Sequence, residues 1–158
     1  MRREFSAGGV VFKKQGGQVL WLVRRPTAGK DYRGNLGWSF PKGWIDDAGE
    51  GQPGPKASGA EKAEEVELWA AALREVREEG GVEAKIVKKL QTVRFFFKNR
   101  GQLVMKFVTY FLMEWAADVP EGCGWETAEV KWMSREEAEV ELAQKGDRQL
   151  LKEAAESI

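Results

Sequence analysis

The stretch from Trp69 to Val82, WAAALREVREEGGV, constrains the fold of this chain more than any other. At about 100° per residue it predicts a helix with an apolar packing face made of Trp69, Ala72, Leu73 and Val76. Glu75, Glu78 and Glu79 share a second face, within an arc of about 100°. We therefore expect a helix that packs on one side and presents three carboxylates on another.

The three carboxylates lie where helix physics disfavours them. Glu75 and Glu79 are like charges four residues apart, a spacing that costs about 0.2–0.5 kcal/mol. They also precede Gly80-Gly81, a predicted helix end, where the macrodipole disfavours anions. A divalent cation would reverse both penalties, because hard cations bind clustered carboxylate oxygens. The pattern indicates a metal site, although a solvated charged face has the same composition.

The composition excludes several functional classes. The 158 residues carry a net charge of zero, and their sequence pI of about 6.4 is not that of a nucleic-acid or membrane-surface binder. The sequence has no histidine, which excludes His-based triads, His general bases and most zinc sites. Its only cysteine, Cys123, cannot form an internal disulfide. No apolar run approaches a membrane span or a signal-peptide core, so we expect a cytoplasmic protein.

The remaining pattern predicts mainly strands. Residues 5–13 and 18–25 are apolar runs separated by Gln15-Gly16-Gly17, which is typical of a hairpin. Further strands are predicted at 38–40, 83–90, 91–98, 103–115 and 129–133, with a turn at 98–101. Ser134 is expected to cap a helix, and another helix should follow Gly146.

Residues 46–62, DDAGEGQPGPKASGAEK, are rich in Gly, Pro and small side chains. Because they offer little apolar surface to bury, we expect 46–58 to be an exposed, mobile loop that is dispensable for folding. Ser58 followed by Glu61 matches a capping box, which predicts that the long helix begins near Gly59.

Two segments carry a resemblance to a known family. Residues 74–82, REVREEGGV, resemble the second half of the Nudix box, G-x5-E-x7-R-E-U-x-E-E-x-G-U with U aliphatic. Residues 38–43, WSFPKG, resemble the strand and turn that enter this box. Thirty residues, 44–73, separate the two halves, where the pattern has thirteen. Val66 occupies the position of the first box glutamate, and Glu50 resembles its usual setting but lies one residue too far from Gly43.

The resemblance implies an α/β (α+β) Nudix fold, a mixed β-sheet between helices with the box as loop-helix-loop. We expect one domain over residues 1–158, with a Gly/Pro-rich insertion at about 46–62. The family mostly hydrolyses nucleoside diphosphates linked to another moiety, using Mg²⁺ or a similar ion such as Mn²⁺. Glu78, Glu79 and the backbone carbonyl of Lys42 match metal ligands, and Glu75 matches a further ligand or base.

The same match assigns roles to three more residues. Arg74 matches the arginine that orients the glutamates, and its spacing of four from Glu78 fits that role. Gly43 and Gly81 match glycines at which the backbone must turn tightly.

Within the family, the chain looks most like the asymmetrical diadenosine tetraphosphate hydrolases. The residues that carry this likeness are 5–10, 38–43, 108–112 and the pair Trp125-Glu126. It implies that Glu126, on a loop across from the box helix, is a metal ligand or base. Tyr110 and Phe96 are candidates for adenine stacking, and Arg24, Arg25 and Lys42 for phosphate contacts. The structural alternatives are that Glu126 is an ordinary acid on a loop, that the two rings are core residues, and that the arginines are solvated at the end of a strand.

Other functions remain open at this stage. A related enzyme could act on RNA 5′-triphosphate ends, diphosphoinositol phosphates or nucleoside triphosphates, and a non-catalytic nucleotide-binding module is a further alternative. We expect a small-molecule nucleotide as the partner, with no membrane and no stable nucleic-acid partner. The oligomeric state is left open.

Overall fold

A computed structural model of the protein describes residues 1–28 and 37–158. These residues form strands and helices in the order β1 (Arg2–Gln15), β2 (Gln18–Pro26), β3 (Lys42–Trp44), β4 (Asp47–Gly49), β5 (Gln52–Pro53), α1 (Glu65–Gly80), β6 (Val82–Asn99), β7 (Gln102–Asp118), β8 (Thr127–Met133), α2 (Arg135–Glu141) and α3 (Lys145–Glu156). No helix in these two ranges is long and apolar enough to span a membrane.

The main sheet has the strand order β6-β7-β1-β2-β8, and β3 pairs with β1 beside this path. β1 runs parallel to β7, in a register that extends from Arg2 opposite Val104 to Phe12 opposite Glu114. The other pairings within this sheet are antiparallel. The sheet is therefore mixed, as predicted.

The two faces of the sheet bury separate apolar clusters. Successive β1 residues point to opposite faces, so Val11 joins the cluster under α1, and Val10 joins the cluster under α2 and α3. Val76 is the fully buried centre of the α1 contact, and Leu150 has the same position on α3. The sheet lies between helices, which confirms the predicted α+β architecture.

Several local predictions are confirmed. Gly16 and Gly17 adopt φ values of 58° and 78° in the turn between β1 and β2, as a tight hairpin requires. Arg100 and Gly101 form the turn between β6 and β7. The Ser134 hydroxyl accepts a hydrogen bond from the backbone N–H of Glu137 at 3.1 Å and so caps α2.

Two strand predictions were wrong in their boundaries. The segments 83–90 and 91–98 form one strand, β6, whose pairing with β7 shifts register at several points, including between Lys89 and Thr92. Irregular pairing of this kind breaks the alternation of side chains on which the prediction relied. Residues 38–40 make isolated bridges only, Trp38 with Leu142 and Ser39 with Arg24, and the regular strand β3 begins after Pro41.

The long helix begins later than predicted. α1 starts at Glu65, and the capping box joins Glu64 and Glu67, with a distance of 3.0 Å from the Glu64 backbone nitrogen to Glu67 Oε1. The predicted start near Gly59 was wrong because Gly59 has a φ of 84°, a left-handed conformation outside the helical region. The Ser58 hydroxyl instead donates to the Pro55 carbonyl at 3.2 Å.

The packing face of α1 also differs from the prediction. Ala71, Ala72 and Val76 are buried, whereas Trp69 and Leu73 are 45% and 36% exposed. The buried face is therefore rotated toward Glu75, which is itself only 9% exposed. This rotation directs one carboxylate into the protein instead of into solvent.

The insertion is more ordered than its composition indicates. Residues 47–51 are exposed at the tip of the β4–β5 hairpin, as expected. Ala57, however, is fully buried, and its carbonyl accepts a hydrogen bond from the Phe5 N–H at 2.7 Å. The Asp46 carboxylate accepts hydrogen bonds from the backbone N–H groups of Lys56 and Ala57 at 3.0 and 2.7 Å. The prediction of an exposed loop was therefore wrong for Gly54 and Ala57, which are buried, and the second of these is bonded to β1.

Candidate active site

The C-terminal half of α1, β3 and the loop before β8 surround a cavity of about 790 Å³. We call it the carboxylate cavity, because it is lined by Glu75, Glu78, Glu79 and Glu126. Lys42 and Gly43 of β3 form its opposite wall. The fold thus brings together the four carboxylates that the sequence indicated, although Glu126 is 47 residues beyond Glu79 in the chain.

Gly43 allows Glu75 to approach β3. A Cβ atom at Gly43 would collide with the Glu75 carboxyl group. Gly43 is not among the residues with positive φ, so close approach, and not the tight turn we expected, explains the glycine. Arg74 holds the same carboxylate, with its Nη2 3.4 Å from Glu75 Oε1 and 2.6 Å from the Trp44 carbonyl oxygen. Arg74 therefore pairs with Glu75, and not with Glu78 as the spacing suggested.

Glu79 is held between two strands. Its Oε1 atom accepts a hydrogen bond from the Lys42 N–H at 3.0 Å and lies 3.5 Å from Arg24 Nε. Burial raises the pKa of Glu79, while the charge of Arg24 and the Lys42 N–H oppose that rise. The Arg24 guanidinium, buried at the end of β2, therefore already has a carboxylate partner.

Glu75 titrates unusually high for a carboxylate. Burial, together with the negative charges of Glu79 and Glu78, raises the pKa of Glu75 to about 7, although Arg74 opposes the rise. Like charges held this close would be relieved by a cation or by a proton. The site is electrostatically suited to bind positive charge.

The loop that carries Glu126 is fixed to both neighbouring elements. The Glu126 carbonyl accepts hydrogen bonds from Arg24 Nη2 and from the Thr27 N–H, each at 2.9 Å. The Gly124 N–H donates to the Glu78 carbonyl at 2.6 Å. The Glu126 side chain is exposed, lines the carboxylate cavity, and its charge raises the pKa of Glu79. Its role as ligand or base stays a prediction.

The donor set fits a hard divalent cation. Five carboxylates line the cavity, the four glutamates and Asp47, and the Lys42 carbonyl belongs to the strand that forms its wall. Within residues 1–28 and 37–158, no three acidic side chains already converge tightly enough to enclose an ion. Mg²⁺ needs no such cage, because it keeps several waters and completes its shell with substrate phosphate. Glu78, Glu79, Glu75, Glu126 and the Lys42 carbonyl are the groups that would hold it.

Gly81 ends α1 beside this cavity. It adopts a left-handed φ of 71°, and its N–H donates to the Arg77 carbonyl at 3.0 Å. A Cβ atom there would also lie 3.0 Å from the Cys123 backbone nitrogen. Gly81 therefore both stops the helix and lets the Glu126 loop pass close to it.

A second cavity of about 350 Å³ lies next to the first. We call it the aromatic cavity, because Trp38, Phe95 and Tyr110 line it together with Asp147. Lys42 lines both cavities, and its ammonium nitrogen is 5.9 Å from the centre of the Phe95 ring. A flat heteroaromatic group in the aromatic cavity would thus be next to the carboxylates.

Only some of the residues predicted to contact substrate line the aromatic cavity. Tyr110 lines the aromatic cavity but is 1% exposed and packs against Phe40, so little of its ring is available for stacking. Phe96 is 53% exposed and points away from the face that carries Phe95. Arg25 pairs with Glu129 at 3.0 Å on the surface. Lys42 and Arg24 line the aromatic cavity.

Glu50, which resembled the first box glutamate in its setting, is exposed at the tip of the β4–β5 hairpin with a φ of 54°.

Lys106, which was not among the predicted site residues, lines the carboxylate cavity from β7. Burial lowers the pKa of Lys106 to about 8, and the charge of Lys42 adds to this effect, while Glu4 opposes it. Glu4 is 3% exposed and accepts a hydrogen bond from Trp44 Nε1 at 2.8 Å. Lys106 is the single charged residue in the apolar run 103–113, a signal that could have identified it.

The chain is similar in sequence to a curated protein. The protein MutT4 of Mycobacterium tuberculosis strain CDC 1551 is 33% identical over 159 residues, a match that covers 98% of this chain and 56% of that protein. The chain thus spans about half the length of this relative.

Solved structures resemble the chain at lower identity. A binary complex of the Caenorhabditis elegans Ap4A hydrolase superposes with a TM-score of 0.61 at 22% identity, covering 98% of this chain and 96% of that one. The NUDIX domain of Shewanella oneidensis NrtR, complexed with ADP ribose, superposes with a TM-score of 0.64 at 17% identity, covering 99% and 89%. At these identities the likeness shows the fold alone. The family model of the NUDIX domain matches residues 2–154, and the chain therefore belongs to the Nudix family, whose enzymes act on pyrophosphate bonds.

Proposed function

We propose that this protein is a metal-dependent pyrophosphohydrolase that cleaves a nucleoside diphosphate-linked substrate, and that this substrate is diadenosine tetraphosphate, hydrolysed to ATP and AMP. The observation that carries the proposal is the shared position of Lys42, which lines both the carboxylate cavity and the aromatic cavity. A substrate with one base in the aromatic cavity would extend its phosphates past Lys42 toward Glu75, Glu78 and Glu79.

The residues of the cavity have complementary tasks. Lys42 and Lys106 supply positive charge for an anionic phosphate chain. Glu75, with a pKa of about 7, is suited to accept a proton from an attacking water near neutral pH. When bound at the carboxylates, Mg²⁺ or Mn²⁺ would neutralise phosphate charge and lower the pKa of a bound water.

The reaction balances with a single water. Its oxygen forms a bond to one phosphorus while the bond from that phosphorus to a bridging oxygen breaks. The bridging oxygen leaves with one product, and the protons of the water pass to the products and solvent. A base held at a fixed distance in the aromatic cavity determines which phosphorus reaches Glu75, so the cut falls off-centre.

A nucleoside triphosphate is the second candidate substrate. The 33% identity with MutT4 favours a MutT-like enzyme as much as an Ap4A hydrolase. Such a substrate needs one base site and a shorter phosphate chain, which the two cavities would also accommodate. RNA 5′-triphosphate ends and diphosphoinositol phosphates have less support, because the chain carries no net positive charge to attract them.

The test is product analysis in ¹⁸O-labelled water. The purified protein and its Glu79→Gln variant are incubated with Mg²⁺ and, separately, with diadenosine tetraphosphate, nucleoside triphosphates and 5′-triphosphorylated RNA. We expect equimolar ATP and AMP from the wild type, with the label in one product only. Two ADP molecules as the sole products would refute the off-centre geometry. Turnover of nucleoside triphosphates without turnover of diadenosine tetraphosphate would establish the second candidate.

A further inference from the structure

Trp125 is the most exposed of the large apolar side chains in the described part of the chain, at 83%. It lines the carboxylate cavity beside Glu126. Leaving an indole in water forgoes about 25 cal/mol for each Å² of apolar surface that could have been buried. Isolated exposed apolar residues are common, so the exposure alone decides nothing. The position of Trp125, at the mouth of the cavity where the reaction would occur, is what needs a reason.

The backbone of Trp125 is firmly held. Its carbonyl accepts a hydrogen bond from the Thr27 hydroxyl at 2.7 Å. The Thr27 N–H donates to the next carbonyl, that of Glu126, at 2.9 Å. The preceding residue, Gly124, donates its N–H to the Glu78 carbonyl at 2.6 Å. The backbone that carries the exposed ring is thus fixed to Thr27, just after β2, and to α1, which lowers the entropic cost of binding a partner.

The location of Trp125 indicates what could cover the ring. The aromatic cavity does not include Trp125 among its lining residues, whereas the carboxylate cavity does. A phosphate chain that starts from a base in the aromatic cavity would pass Lys42, which lines both cavities, and enter the cavity that Trp125 lines together with the glutamates. The group that follows the phosphates at this end of a dinucleoside polyphosphate is its second nucleoside.

We propose that Trp125 stacks on the second nucleobase of a dinucleoside polyphosphate, and thereby makes the enzyme prefer dinucleoside over mononucleoside substrates. The inference rests on the proposed function, because a mononucleotide substrate has no second base. Stacking of a base on an aromatic side chain is sequence-tolerant, so Trp125 would favour the presence of a second base without selecting its identity. A surface tryptophan with no ligand would give no such preference.

The test compares two substrates with the same number of phosphates. Diadenosine tetraphosphate has two bases, and adenosine 5′-tetraphosphate has one. From a stacking energy of about 1–3 kcal/mol, we expect Trp125→Ala to raise KM for the dinucleotide by roughly 5- to 150-fold while kcat stays near the wild-type value. The same variant should leave KM for adenosine 5′-tetraphosphate unchanged. Trp125→Phe, which keeps a ring, should restore most of the affinity for the dinucleotide.

Trp69→Ala is the matched control, because Trp69 is 45% exposed on α1 and does not line the cavity. This variant should leave KM unchanged both for diadenosine tetraphosphate and for adenosine 5′-tetraphosphate. A loss in Trp125→Ala that is equal for both substrates, or no loss for either, would overturn the inference. If the wild type hydrolyses neither substrate, the proposed function fails. The inference is then decided by titration calorimetry with methylene-bridged analogues of both compounds. Equal affinity of the wild type for the two analogues would overturn it, and a preference for the dinucleotide that disappears in Trp125→Ala would support it.

Discussion

The backbone N–H of Lys42 donates a hydrogen bond to Oε1 of Glu79 at 3.0 Å. Lys42 belongs to β3 and Glu79 to the last turn of α1, so the contact joins the two halves of the Nudix box across the 46–62 insertion. The residue whose backbone carbonyl is a predicted metal ligand is thereby placed next to a predicted ligand carboxylate. The Glu79 side chain needs an oxygen atom to accept this hydrogen bond and keep its position. It needs a negative charge to bind a metal ion.

Glu79→Gln separates these two properties. The glutamine oxygen can still accept the Lys42 hydrogen bond, so the fold is kept while one negative charge is lost. We expect kcat to fall by about 100-fold or more at saturating Mg²⁺, because electrostatic stabilisation by a metal is worth several kcal/mol. The melting temperature in EDTA should hold or rise slightly, since burial raises the pKa of Glu79 and disfavours its charge.

Glu65→Gln is the control for charge removal from the same helix. Glu65 lies in the first turn of α1 and pairs with Lys89 on the surface at 3.1 Å. The turnover of the Glu65→Gln variant should equal that of the wild type. Near-normal turnover in Glu79→Gln would contradict the assignment of Glu79 as a metal ligand.

Gly43→Ala tests the close approach of Glu75 to β3. The added Cβ would collide with the Glu75 carboxyl group, so this side chain must leave its place beside Arg74. We expect at least a 10-fold loss of kcat, and a loss of stability of about 1–3 kcal/mol as in other overpacked sites. Denaturant unfolding and steady-state kinetics give the two values.

A double-mutant cycle shows whether the collision is the cause. In a Glu75→Ala background the carboxyl group is absent, so Gly43→Ala should cost little further stability. Additive losses in the double variant would mean that the glycine is required for another reason.

The sequence predicted the parts of the site that depend on local spacing. Glu75, Glu78 and Glu79 lie on one helix, and Gly81 ends that helix, so periodicity and turn chemistry sufficed to place them. The partner of Arg74 was predicted wrongly, because the helix spacing to Glu78 competes with the carbonyls of Trp44, the last residue of β3, and of Ile45, 30 and 29 residues away. Lys106 was missed because its role comes from the pairing of β7 with β1, which local patterns do not specify.

The composition of the insertion was misleading for a similar reason. Gly- and Pro-rich segments offer little apolar surface, but they can pack through backbone hydrogen bonds to one partly buried carboxylate. Asp46 supplies that carboxylate to two backbone N–H groups, and nothing in the sequence distinguishes it from the adjacent Asp47.

Asp46→Ala should therefore destabilise the fold. The variant leaves the N–H groups of Lys56 and Ala57 without their acceptor, and Ala57 is fully buried. At about 1–3 kcal/mol for an unsatisfied buried group, we expect a loss of roughly 2–4 kcal/mol in the free energy of unfolding. Asp47→Ala, which removes one exposed hydrogen bond to the Gly49 N–H, should cost less than about 1 kcal/mol. Equal and small losses in both variants would restore the view of the insertion as a dispensable loop.

Asp147→Asn should stabilise the protein at alkaline pH and not at acidic pH. Burial raises the pKa of Asp147 to about 6 from 3.8, although Lys42, the Phe40 N–H and Arg148 oppose the rise. The folded state thus binds the proton more tightly than the unfolded state. The stabilisation of the folded state by the protonated Asp147 is complete below pH 3.8 and is lost as the pH rises through about 6. The asparagine variant has no proton to lose, and its amide oxygen can still accept from Phe40.

The difference between variant and wild type should accordingly be near zero at pH 4 and reach at most roughly 3 kcal/mol at pH 8, at 1.36 kcal/mol for each unit of pKa difference. Urea unfolding at the two pH values measures it. Glu156→Gln, which removes an exposed acid from the end of the same helix, controls for the change in net charge. A variant less stable than the wild type at pH 8 would show that attraction of the Asp147 carboxylate to Lys42 and Arg148 outweighs the cost of burying it.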